Sequence, residues 1–186
     1  MSATRDIEEI GVEHLSAEAA AGFGKALVFG VTHPTSDGEW WKCWEGCAEL
    51  SEGRQWVGFV RAAGSMPDVT EMEREPGTEL IIPVGGEIVQ IVAYGIQDAS
   101  GVERPDGRTA RAFVLKPGSA LVMNAGVWHA AAFGLNGETS YFYVAQRRKA
   151  EDSEGRRGWV ELARRTILRP RADHTAQAQN AGDGHD

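Results

Sequence analysis

Cysteine is nearly absent: the 186 residues hold two, Cys43 and Cys47. A small secreted scaffold stapled by disulfides needs several pairs, so that class is excluded. No second Cys/His pair follows at a spacing that would complete a zinc site. The two thiols are expected to be free, small packing residues. Long hydrophobic runs are also missing. A bilayer-spanning helix takes about 20 apolar residues, and runs such as Leu80–Val84 fall far short. Positive charge is in deficit: 19 Lys and Arg against 27 Asp and Glu leave a net charge of −8. That balance argues against non-specific nucleic-acid binding. The start, MSATRDIEEI, is polar and acidic rather than signal-like, so a cytoplasmic location is expected. There is no phosphate loop, dinucleotide fingerprint, strained Ser elbow or internal repeat.

What is present is a 42% hydrophobic share, enough for a core, in a chain of single-domain length. Short apolar or alternating runs recur between Gly/Pro turns: Ala26–Val31, Arg54–Ala62, Leu80–Ile82, Glu87–Tyr94, Arg111–Leu115, Ala120–Met123, Val127–Phe133 and Thr139–Ala145. Asn136-Gly137 is the strongest hairpin signal. Two short helices are expected beside these strands. One follows Ser16 through an Ala-rich stretch, and one spans Gly158–Leu168, where Trp159, Leu162 and Ile167 fall on or near one face. The pattern predicts an all-β sandwich or barrel over residues 1–168, with a polar, disordered tail over 169–186.

The most unusual stretch is EMEREPGTELIIPVGG, residues 71–86. On a strand, Glu71, Glu73 and Glu75 share one face and Arg74 points to the other. Pro76-Gly77 is a turn signal, so a hairpin with the strand from Glu79 onward is expected. A two-residue loop pairs Glu75 with Thr78 and puts Glu79 on the face of Arg74. A three-residue loop pairs Glu75 with Glu79, so that Glu73, Glu75 and Glu79 face one space; hairpins use both lengths. A plain alternative is a solvated acidic edge that discourages strand pairing.

Two spaced motifs give the stretch a context. Glu73-x-Glu75-x3-Glu79-x6-Gly86 has the spacing of the first cupin motif, and Gly118-x5-Asn124-x-Gly126-x2-His129 that of the second. The chain therefore resembles a cupin, a jelly-roll β-barrel that brings metal ligands to its interior. In the first motif glutamates replace the usual two histidines. In the second, Asn124 replaces Pro, and Phe133 stands where the closing Asn is usual. Within cupins it is similar to ureidoglycolate lyases, through Glu73-Arg74-Glu75-Pro76-Gly77-Thr78-Glu79, Ala110-Arg111-Ala112-Phe113 and Gly126-Val127-Trp128-His129, over about residues 57–146. Glu75 and Glu79 stand where that family has His and Gln, and Ala130 where a second His follows His129.

The resemblance implies a carbon–nitrogen lyase that splits a small ureido or related hydroxy acid, giving urea and glyoxylate if the substrate is ureidoglycolate, and acting as a homodimer. Glu73, Glu75, Glu79 and His129 are the expected metal ligands. An oxygen-rich set with one imidazole suits a hard divalent ion such as Mn, Mg, Fe(II) or Ni. Glu75 or His129 is the expected base. Arg111 is the first choice to clamp a carboxylate, with Arg61, Lys116 and Tyr143 as further substrate contacts. Tyr141, Tyr143 and Trp128 are expected mainly as core or barrel wall, with lining of the cavity as the alternative. Two other readings stay open: a non-catalytic cupin that binds a small ligand, and an isomerase or oxygenase on the same scaffold.

Overall fold

The computed structural model describes residues 5–31, 33–146 and 158–171. In chain order the strands are β1 (Ile7–His14), β2 (Gly24–Val28), β3 (Ser36–Gly38), β4 (Trp41–Cys43), β5 (Gln55–Ala62), β6 (Glu71–Met72), β7 (Glu79–Pro83), β8 (Ile88–Ala93), β9 (Gly95–Gln97), β10 (Glu103–Pro105), β11 (Arg111–Leu115), β12 (Ser119–Met123), β13 (Trp128–His129), β14 (Phe133–Gly134), β15 (Thr139–Gln146), β16 (Val160–Glu161) and β17 (Ile167–Arg171). The all-β class expected from the turn spacing is observed.

Two sheets carry the fold. The first has six strands in the order β13-β8-β11-β1-β17, with β14 also on β8; the second has five, β2-β12-β7-β15-β5. β1 runs parallel to both β11 and β17, and the remaining pairs are antiparallel. The sheets share no strand, so the closed barrel expected from the cupin resemblance is not formed among the described residues. They face each other instead, as two half-apolar layers must to hide their inner faces.

Side-chain alternation shows how β8 is used. Ile88 and Val92 join Phe113 and Leu115 of β11 against Ile81, Leu121, Met123 and Tyr141 of the second sheet. Val89, Ile91 and Ala93 point the other way, into a second cluster with Met72, Trp128, Phe133, Leu162 and Leu168. All six residues of β8 are buried because both of its faces are covered. Such a strand reads as a continuous apolar run rather than an alternation. The outer face of the second sheet is less covered: Val57, Phe59 and Phe142 are exposed, with the two phenyl rings 5.1 Å apart.

Neither expected helix forms. After Ser16 there is one helical turn, with Ala19 N–H donating to Ser16 Oγ and Ala20 N–H to the Ser16 carbonyl, both at 3.0 Å. It ends because Phe23 must enter the interlayer core and Gly24 must open β2, where a Cβ would lie 2.2 Å from the Val122 carbonyl oxygen. In the 158–168 stretch, Val160 pairs with Met72 and Ile167 with Ile7, around a short 3-10 turn at Ala163–Arg165. Pairing with exposed strand edges and burial of Leu162 and Leu168 override the helical spacing. The last strand runs on through Arg171, so ordered chain passes the expected boundary at 168; residues 172–186 lie outside the described residues.

The two expected hairpins are also replaced. β6 pairs with β16, while β7 pairs with β12 and β15. The Pro76-Gly77 segment therefore crosses between layers instead of turning back on itself. It is held by reciprocal bonds, Ser51 N–H to Thr78 Oγ1 at 2.8 Å and Thr78 N–H to Ser51 Oγ at 2.9 Å. Asn136-Gly137 likewise joins β14 of one sheet to β15 of the other. The thiols of Cys43 and Cys47 are free. No helix among the described residues is long and apolar enough to cross a membrane.

Candidate active site between the sheets

Glu79 and His129 meet across the interlayer space. Glu79 opens β7 in the second sheet, opposite Met123 and Ala145. Ile81, two residues on, lies in the interlayer core, so alternation turns Glu79 the same way. His129 ends β13 in the first sheet, opposite Val92, whose side chain also faces the second sheet. The chain reaches that position from β12 by a turn at Asn124–Gly126, where Val127 N–H donates to the Asn124 carbonyl and Gly126 takes a left-handed φ of +77°. Glycine adopts that conformation at no steric cost. The result is an ion-pair contact of 3.0 Å between His129 Nε2 and Glu79 Oε2. Both residues are buried, at 5% and 8% exposure. Glu79 Oε2 has no hydrogen-bond partner, so the close approach is not a well-aligned hydrogen bond.

A third acid belongs to the group. Glu73 and His129 are a directly opposed antiparallel pair, exchanging N–H···O=C bonds of 2.9 and 2.8 Å. Opposed residues share a face, so the half-buried Glu73 is on the side of the imidazole. The electrostatics follow from this packing. Burial by itself pushes the His129 imidazolium down, and is the largest single influence. The Glu79 carboxylate, the Val127 carbonyl on Nδ1 at 3.2 Å and Glu73 together outweigh it, and the pKa is raised to about 9. Tyr141, on β15 facing the same space, is pushed up to about 12. Burial is the main cause, opposed by a hydrogen bond with the Ala132 backbone and reinforced by Glu79, Tyr143 and Glu73.

The other expected residues divide. Arg74 points away from Glu73, as alternation requires; its guanidinium lies 4.7 Å above the Trp128 ring and pairs with Glu103 at 2.7 Å. Glu75 is half-buried, and its carbonyl accepts the Gly126 N–H at 2.9 Å. Arg111 is opposite Val92, so Arg111, Val92 and His129 form one cross-strand row. Two strand spacings separate Arg111 from His129, about 10 Å between backbones. Its guanidinium lies 5.6 Å from the Phe113 ring centroid, and Nε donates to Glu13 at 2.5 Å. Tyr143 packs on the interlayer core beside Tyr141. Its ring occupies the space over Gly58, where a Cβ would lie 2.1 Å from the ring carbons.

Arg61 and Lys116 are not brought to this group. Arg61 alternates with the core-facing Val60 and Ala62, so it is on the outer face, 76% exposed and paired with Glu138 at 2.8 Å. Lys116 follows Leu115, at the end of β11 opposite Ile88, while His129 lies beside Val92 at the other end. Two further residues belong to the interlayer face. Gln90, fully buried, stands between Ile88 and Val92. A lone amide inside IVQIVA was the available signal for it, since a polar residue in a wholly buried run needs a reason. Glu13 reaches Arg111 from the neighbouring strand, and no local pattern marks it.

Glu79, Glu73 and His129 of the expected ligand set lie near one another, with Glu79 and His129 in direct contact. Among the described residues no group of three or more His, Cys, Asp or Glu side chains is placed to hold an ion. Glu79 and His129 are engaged with each other.

Two facing antiparallel-rich sheets with a buried acid–imidazole pair between them define an all-β protein whose candidate site lies in the interlayer space. A family model described as Ureidoglycolate lyase matches residues 7–160, most of the chain, and the chain belongs to that family. No curated protein matches it. Among solved structures, RmlC from Streptococcus suis in complex with dTDP-D-xylose aligns at 15% identity and TM-score 0.38, over 54% of this chain and 47% of that one. The dTDP-4-dehydrorhamnose 3,5-epimerase of Bacillus anthracis str. Ames, with TDP and PPi bound, aligns at 18% and TM-score 0.38, over 56% and 58%. The chain spans only about half the length of these two structures. At such values nothing about activity passes from them to this chain.

Proposed function

We propose that the protein is a carbon–nitrogen lyase of ureidoglycolate, with His129 as general acid and Glu79 as general base. The observation that carries this reading is the 3.0 Å contact of two buried, oppositely charged groups in a chain of the ureidoglycolate lyase family. The reaction must remove a hydroxyl proton and deliver a proton to the departing nitrogen. An imidazole with its pKa raised to about 9 is protonated at neutral pH, and so is an acid poised beside a carboxylate.

Glu79 Oε2 takes the hydroxyl proton, and the O–H electrons form the carbonyl of glyoxylate. The carbon–nitrogen bond breaks with its electron pair going to nitrogen. That nitrogen takes the proton of His129 Nε2 and leaves as urea. Proton transfer from Glu79 to His129 across their contact then restores the starting state, so no net proton is consumed. The base role expected for Glu75 falls to Glu79 in this reading, because Glu79 is the carboxylate in contact with the imidazole. Arg111, on the same row and face as His129, holds the substrate carboxylate by exchanging Glu13 for it.

The direct test is incubation of the protein with ureidoglycolate while glyoxylate and urea are followed. Both should appear in equal amounts and fall about 100-fold or more in His129→Gln and in Glu79→Gln, as loss of a positioned acid or base does. Absence of both products with the unaltered protein would end the proposal.

A further inference from the structure

Gln90 is a buried amide with half of its capacity unused. Its Nε2 donates to the Ala130 carbonyl at 2.7 Å and to the Ile91 carbonyl at 3.1 Å. Two carbonyl acceptors fix the amide orientation, since the reverse would set oxygen against oxygen. Both N–H groups are therefore spent, and Oε1 is buried without a partner. The side chain leaves β8 on the face of Ile88 and Val92, the one that looks into the interlayer space. Its bond to Ala130, the residue after His129, sets the amide beside the acid–base pair. Ala132, in the interlayer core, has only a methyl group to fill that region. A buried acceptor left without a donor is costly, which makes such a position a receiver for a donor brought by a ligand.

Resting on the ureidoglycolate reading, we propose that Gln90 Oε1 receives the terminal NH2 of the substrate's carbamoyl group, making Gln90 the residue that selects ureido acids over acyl-amino acids of the same shape. The terminal NH2 is the feature that separates a carbamoyl group from an acetyl group. A methyl in its place leaves Oε1 buried and unpaired, and a site built to hydrogen-bond a group rejects the analogue lacking it. Gln90 does no chemistry here; it orients the urea end so that the inner nitrogen meets His129.

The test is equilibrium binding of two uncleavable ligands, N-carbamoylglycine and N-acetylglycine, to the full chain by calorimetry. They share the carboxylate and the inner N–H and differ in NH2 against CH3. The unaltered protein should bind N-carbamoylglycine about 10- to 100-fold more tightly, the effect of one buried hydrogen bond. Gln90→Met should bring the ratio close to one while N-acetylglycine binds as before, with a melting curve reporting whether the variant is folded. Equal affinities in the unaltered protein, no binding of either ligand, or a ratio unchanged in folded Gln90→Met each overturn the assignment. Cleavage of ureidoglycolate without this discrimination removes the Gln90 role alone. Discrimination without cleavage removes the lyase reading alone.

Discussion

Arg111 and His129 stand on either side of Val92 in one cross-strand row of the first sheet. The row places a cation and the proposed acid on the same face, with Glu13 as the present partner of the cation. Arg111→Ala should raise KM for ureidoglycolate about 10- to 100-fold with a smaller change in kcat, the mark of a lost charged hydrogen bond to the ground state. Glu13→Gln should lower KM, because the guanidinium no longer has a carboxylate of its own to leave. Steady-state kinetics of the two variants checks both directions.

The His129 imidazolium makes stability depend on pH. Its folded pKa, about 9, lies above the ordinary value of 6.5. The contribution is therefore present in full below pH 6.5 and is lost as pH rises through about 9. It is on the order of 3 kcal/mol. Denaturant unfolding between pH 6 and 10 should show this loss, and kcat/KM should fall on the same alkaline limb. In Glu79→Gln burial acts unopposed by that charge, so the limb should move to lower pH.

Gly58 and Tyr143 give a packing test. A Cβ at position 58 would lie 2.1 Å from the Tyr143 ring carbons and 2.5 Å from its hydroxyl. Gly58→Ala should cost about 1–3 kcal/mol as the ring is forced aside, lowering Tm by about 2–10 °C. A thermal melt against the unaltered chain reads it. Ser140→Ala, on the exposed side of the neighbouring strand pairing, should change Tm by less.

Metal dependence has its own outcome. If Glu79 and His129 carry the reaction as an acid–base pair, turnover should survive dialysis against chelator and should not rise when Mn, Mg, Fe(II) or Ni is added. Elemental analysis beside the assay checks this. Restoration of lost turnover by one of those ions would return the metal-assisted reading.

Much of the fold was legible because β-structure writes itself in a period of two. Arg111–Leu115 lies where the sequence places it, and the strands at Ile88–Ala93 and Thr139–Gln146 differ from expectation by a residue or so at their ends. The two stretches that read as helices did not, because their apolar spacing is satisfied by packing Phe23, Leu162 and Leu168 into separate cores. Of the candidate site, Glu79, Glu73 and His129 were found through motif spacing. Arg61 and Lys116 stand out in the sequence only by charge on or beside a strand, and charge does not tell which face or which end of a strand a residue occupies.

Alternation alone determined that Glu73 and Arg74 look in opposite directions, that Gln90 shares a face with Ile88 and Val92, and that the chain is all-β. These are properties of one strand, and the pleat dictates them locally. Only the tertiary structure decided that Glu79 serves the second sheet rather than a hairpin with Glu73. It also decided that the imidazole it meets comes from a strand fifty residues on, in the first sheet. Strand partners are chosen by which apolar faces can be buried together, a property of the whole chain that no short segment carries.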